Sequence, residues 1–252
     1  MKLSHLASFI VGSSSCCLVL GQAPQNSLDN LRPFQATVKA ISSLSMEERY
    51  NRIINLSRDL MAEDYAIFIQ QTQKPHFGQL VDELFLQNQL DVMRLLLQRR
   101  EIQPNRYASL AGRLAQHVDP LALDILITNS SLGFASKPTK EEFKEGKDIA
   151  DLMMIPEIST EFLGPYLNSD MYKTRVEAHL IRVLKECPRP GMRAMAARAL
   201  SSSRSTRAVK ALQGAVNDKG HVRTDNGPFE YVYEYAQDSL EKSGQATNAI
   251  RR

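Results

Sequence analysis

Histidine, cysteine and paired carboxylates are the residues that carry most protein chemistry, and their spacing here is unhelpful to it. Beyond His5 the chain has His76, His117, His179 and His221, no two within five residues of each other. A helical zinc pair needs imidazoles at i and i+4 so that both nitrogens converge on one ion, and that spacing is missing. No glycine-rich phosphate loop, G-x-S-x-G elbow or C-x-x-C pair occurs. Glu47-Glu48 and Glu141-Glu142 fall where first helical turns are expected, and there the macrodipole stabilises acids without any catalytic role. Cys187, between Glu186 and Pro188 and far from any histidine in sequence, reads as a buried, idle thiol. The residues therefore imply no metal and no cofactor.

Arginine is the residue type whose distribution stands out. From Lys173 to Lys210 ten cations face only Glu177 and Glu186, a net of +8 in a chain whose whole formal charge is +3. Arg182, Arg189, Arg193, Arg198, Arg204, Arg207 and Lys210 are the candidate residues of an anion-binding strip. A helical wheel turns Arg198 away from the apolar stripe of its helix and puts Arg193 at the stripe's edge. The competing reading is structural, with these arginines solvated or laddered to carboxylates of neighbouring helices. A second candidate is the break at 219–228, where His221, Arg223, Asp225 and Tyr231 or Tyr233 could gather on a loop carried by a rigid scaffold. A tolerated insertion with no partner is the alternative there.

Composition limits the setting. With 43% hydrophobic and 23% charged residues over 252 positions, the chain can bury a core, and its small net charge gives no reason to expect a polyanion partner for the whole molecule. Residues 1–23 have a cationic start at Lys2, an apolar run, and Gly21 and Ala23 at the spacing a signal peptidase accepts. This predicts cleavage after Ala23 and export to a periplasmic, cell-envelope or extracellular location. Cys16 follows three serines, which does not fit a lipid anchor. Loss of Cys16 and Cys17 with the signal leaves Cys187 alone, so the mature chain has no internal disulfide and no expected transmembrane span.

From residue 28 onward the apolar spacing is helical. Ser45 and Glu48 form a capping-box spacing that starts a helix at Met46, and a further helix is expected over Tyr65 to Ile69, ended by Lys74-Pro75. Helices follow over 77–87, 90–99 and 105–118, and Asp119-Pro120 opens another. After the polar run at 128–139 come helices near 140–154, opened by Thr139 and Glu142, and near 157–167. The expected divisions are a signal at 1–23, a degenerate helical array at 24–138, a repeat region at 139–244 and a tail at 245–252.

The C-terminal part repeats. Met192 to Leu200 lines up with Val232 to Leu240 at an offset of 40, and Val176 to Leu184 shows the same apolar spacing 16 residues earlier. Met192, Arg193, Ala196, Ala197, Ala199 and Leu200, then Arg207, Ala208, Val209, Leu212, Ala215, Val216 and Asp218, resemble the paired helices of the short HEAT-like repeats first noted in phycobilin lyases. The likeness spans Tyr172 to Gly244. It departs from the family at the turn, where Ser201, Arg204 and Ser205 replace glycines and an aspartate, and Ser205 is expected to cap the next helix. Gly244 stands where a left-handed C-terminal cap belongs.

The resemblance implies an all-α, right-handed α-solenoid and, for Arg193, a structural pairing with a neighbouring repeat. It also implies an interaction scaffold, with an acidic protein, an anionic glycan or a lipid headgroup as partner. Export makes nucleic acid an unlikely meeting. The lyase relatives imply an alternative, an enzyme or enzyme accessory with a groove site near His179 and His221. The His-Glu pairs by which iron-holding HEAT-like hydroxylases bind metal are missing.

Overall fold

Helix is what the apolar spacing demands, and among its described residues the computed structural model is all-α apart from one two-residue strand pair. It describes residues 32–58, 60, 76–101, 104–135, 149–222 and 230–244. The helices are α1 (Gln35–Ile41), α2 (Met46–Arg58), α3 (Phe77–Leu86), α4 (Leu90–Arg99), α5 (Pro104–Ala115), α6 (Pro120–Leu132) and α7 (Ile149–Glu161). A 3-10 turn at Gly164–Asn168 leads to α8 (Lys173–Glu186), α9 (Pro190–Leu200) and α10 (Thr206–Ala215). Strands β1 (His221–Val222) and β2 (Glu230–Tyr231) pair antiparallel, His221 opposite Tyr231, before α11 (Val232–Lys242). The signal region, the helix expected at 65–69, the Thr139 cap, Arg223 and the tail lie outside the described residues.

Helix starts follow their capping chemistry. The Ser45 amide donates to Glu48 Oε2 at 3.1 Å while the Glu48 amide donates back to Ser45 Oγ at 3.4 Å. Asp119 accepts from the amides of Leu121 and Ala122, with Pro120 in the first turn. Ser205 Oγ accepts from the Ala208 amide at 3.0 Å, so the expected serine cap forms. After α11, Gly244 takes a φ of +75°, which only glycine adopts without strain.

Two expectations shift. The segment expected as separate helices around Pro156 is one helix, α7, with Pro156 inside it. Pro156 lies two turns into α7, so the helix runs through a ring that removes one intrahelical hydrogen bond. The last helix starts at Val232 rather than Phe229, because Glu230-Tyr231 is drawn into the strand pair, anchored by the Val232 amide to Gly220 O and the Tyr233 amide to Asp218 O.

Packing is between near neighbours. Odd-numbered helices pack on one another in sequence, α1 on α3, α3 on α5, α5 on α7, α7 on α9 and α9 on α11. In the even set α2 packs on α4, α4 on α6 and α8 on α10, and the two sets meet through consecutive helices. Two layers result, sharing one apolar core that runs from Phe34 to Leu240. The burial phase repeats along it. Met192, Ala196, Ala199 and Leu200 of α9 are buried, as are Val232, Ala236, Ser239 and Leu240 of α11, 40 residues on. Val176, Leu180, Val183 and Leu184 of α8 share the phase, and Pro156, Ser159 and Thr160 of α7 stand 40 residues before their α9 counterparts and are also buried. Alanine and serine at these positions let backbones approach closely. Gly133 serves the same end, since a Cβ there would lie 2.5 Å from Met192 Cε.

Candidate functional site

The candidate strip is carried by α8, α9 and α10, and most of its charge is already engaged. Arg193, in the first turn of α9, donates from Nε to Asp218 Oδ2 at 2.7 Å and from a terminal nitrogen to Asp218 Oδ1 at 2.9 Å. Its other terminal nitrogen donates to Cys187 O at 2.9 Å, so one guanidinium ties the exit of α8 to the segment beyond α10. Gly220 leaves room for this guanidinium, since a Cβ there would lie 2.4 Å from a terminal nitrogen of Arg193. The Arg193 hydrogen bonds hold the Asp218 carboxyl below its ordinary range.

Arg198 pairs with Glu161 of α7 at 3.1 Å and lies 5.4 Å over the Tyr235 ring of α11, crossing three odd-layer helices. Arg189 reaches Glu157 at 3.7 Å, and burial pushes that carboxyl above its ordinary range against the pull of Arg189. Arg182 pairs with Glu186 one turn on and sits 4.7 Å over Phe134. Arg175, also in the basic window, pairs with Asp124 at 2.9 Å. Arg207 approaches the buried Glu177 at 4.0 Å, and Glu177 also accepts from Ser203 Oγ at 2.8 Å. Among the described residues Arg204, Lys210 and Lys185 are exposed and make no ion pair. The structure thus divides the candidate strip into laddered arginines and an unpaired remainder on the α8–α10 layer.

The histidines are apart. His179 Nε2 lies 2.9 Å from Ser130 Oγ, and Ser130 Oγ lies 2.7 Å from Thr160 Oγ1, which donates to Pro156 O at 2.7 Å. Burial, helped by Arg182 and Arg175, lowers its pKa to about 4, so the imidazole is neutral. His221 packs edge-on against Tyr231, 4.8 Å between centroids, and Tyr231 stacks on Tyr233 at 5.3 Å. The expected gathering at the break is real for these three. Arg223 and Asp225 lie outside the described residues.

A surface cleft of about 520 Å³ lies between the C-terminal ends of α8 and α10, lined by Lys185, Cys187, Arg193, Gly214, Asn217 and Asp218 among others. Neither His179 nor His221 lines it, so no groove there joins the two histidines. Burial raises the Cys187 thiol, which donates to Gly133 O at 3.3 Å, as expected of an inert cysteine. No histidine, cysteine and carboxylate cluster that could hold a metal ion is present among the described residues. Nor is any helix among them long and apolar enough to cross a membrane.

Sequence reasoning missed the partners rather than the arginines. Glu157 and Glu161 are four residues apart on α7, one face of a helix, and that spacing was the available signal for a pair of rungs. Nothing in the sequence pointed to the joining of Ser130 and Thr160 with His179, which lie on three different helices. No protein-family model, curated protein or solved structure matches the chain.

Proposed function

We propose that the chain is a non-catalytic interaction scaffold, a HEAT-like helical-repeat array that takes an acidic partner on the exposed edge of its α8–α10 layer. The observation that carries the reading is the selective pairing of the basic window: Arg193 and Arg198 are consumed as rungs while Lys185, Arg204 and Lys210 stay exposed with no ion pair among the described residues. Exposed long cations lose little in meeting carboxylates or sulfates, and they steer encounter more than they supply raw affinity. The repeat part of the proposal draws support from sequential packing within two layers and from the burial phase that recurs at an offset of 40. Export belongs to the same proposal and rests on the features of residues 1–23; it favours an acidic protein or anionic glycan over nucleic acid.

Retention of the mature chain on immobilised polyglutamate and on dextran sulfate, at low and at moderate salt, tests this. Combined K185E, R204E and K210E should abolish retention at both salts, whereas R198Q should keep it. Retention unaltered by the triple charge reversal overturns the proposal.

A further inference from the structure

Along the even layer the helices pack backbone to backbone with one exception. The α8 and α10 backbones approach closely, whereas those of α6 and α8 barely do, and α7 does not close the gap because the 3-10 turn intervenes. Side chains bridge the α6–α8 seam instead. Arg175 pairs with Asp124, with both side chains more than half exposed. Arg182 covers Phe134, the Cys187 thiol reaches Gly133 O, and His179 meets Ser130. Exposed ion pairs contribute little, about 0–1 kcal/mol each. The bridge with buried partners is the chain from His179 through Ser130 and Thr160 to Pro156 O, its two hydroxyl residues fully buried.

Proton accounting fixes its direction. Thr160 has one hydroxyl proton and gives it to the Pro156 carbonyl, so Ser130 must donate to Thr160, and His179 must then donate from Nε2 to Ser130. Nδ1 is left to take an added proton. Protonation would set a third positive charge between Arg175 and Arg182, which stand one turn to either side on α8. The other charges on the packed elements give no relief. Asp124 of α6 is tied to Arg175, Glu157 and Glu161 of α7 are tied to Arg189 and Arg198, and the 164–168 turn has no charge. Glu177 and Glu186 of α8 are held by Ser203 and Arg207 and by Arg182, and α9 and α10 bring only Arg193, Arg198, Arg207 and Lys210.

We propose that the α6–α8 seam is a proton-operated hinge, in which a charge on the His179 ring, held from water beside Arg175 and Arg182, outweighs its retained Nε2–H bond to Ser130, so that the ring moves into water and the two helices part. The hinge does not depend on the identity of any partner. The closed form binds the proton weakly, at a pKa of about 4, and the open form binds it at the ordinary 6.5, so acid favours opening.

Amide hydrogen exchange on the full chain, corrected for intrinsic pH dependence, tests the hinge. From about pH 7.5 to about pH 5 the opening equilibrium over 124–135 and 173–186 should rise about tenfold, after discounting the linkage ratio for the partial exposure of the ring, while α10 and α11 stay protected. The H179Q variant, which cannot charge, should show no such rise. The S130A variant keeps the histidine but removes its acceptor, so it should exchange faster at neutral pH and keep its pH response. An equal rise in wild type and H179Q, or a rise spread evenly over the whole chain, overturns the proposal.

Discussion

Arg193 decides whether the arginines of α9 are rungs or hooks. Replacing it with Met keeps the aliphatic stem and removes the guanidinium, leaving Asp218 and the Cys187 carbonyl without their donor. The side chains of the pair are 16% and 21% exposed, between the surface and buried limits. Surface pairs contribute about 0–1 kcal/mol and breaking a buried one costs about 3–5, so R193M should cost about 2 kcal/mol, or about 4–8 °C in melting temperature for a chain of this size. A double-mutant cycle with D218N should return a coupling of about 1–2 kcal/mol. The pH dependence has a definite sign. Asp218 is held below its ordinary value of 3.8, so the pair's stabilisation is full above that value and is lost only as pH falls through the depressed one. Urea denaturation followed by circular dichroism should therefore show the same wild-type advantage at neutral and mildly acidic pH. A loss under about 0.5 kcal/mol, or simple additivity with D218N, refutes the rung and returns Arg193 to the binding surface.

Two further predictions concern backbone positions. A Cβ at Gly191 would lie 2.3 Å from Glu157 Oε1, the movable end of a side chain paired with Arg189, so G191A should cost no more than about 1 kcal/mol through loss of that pair; G214A, with nothing within 4 Å in the last turn of α10, should raise stability by about 0.5 kcal/mol, both read from thermal melts. Loss of the Ser205 cap in S205A should cost about 1 kcal/mol in the same assay, and a cost near zero would show that the α10 start is held by packing alone.

Local chemistry made the helix boundaries legible. Ser45, Asp119, Ser205 and Gly244 each act within three or four residues of themselves, and each is where its type predicts. The Met192 and Val232 stripes were legible for the same reason, because burial at i, i+4, i+7 and i+8 is written in one helix at a time. What could not be read is what crosses between helices. A charge count cannot tell Arg198, spent on Glu161 and Tyr235, from Lys210, which has no such partner, since that distinction is made by residues 37 positions away on two other helices of the odd layer. His179 is a similar case, for its neutrality depends on Ser130 and Thr160 arriving from α6 and α7. Pro156 misled because a proline ordinarily ends a helix at the residue before it, whereas α7 runs on through it.

The sequential packing of the two layers also bears on how the chain comes apart. Among the described residues each helix makes its main contacts with those one or two places away, so even with one continuous core its stability should approach a sum of local terms. Melting should then be able to begin at an end or at a weak joint and advance helix by helix, giving a denaturant dependence shallower than the chain length would suggest. Damage should stay local for the same reason: a destabilised α2 should leave the α9–α11 stack standing.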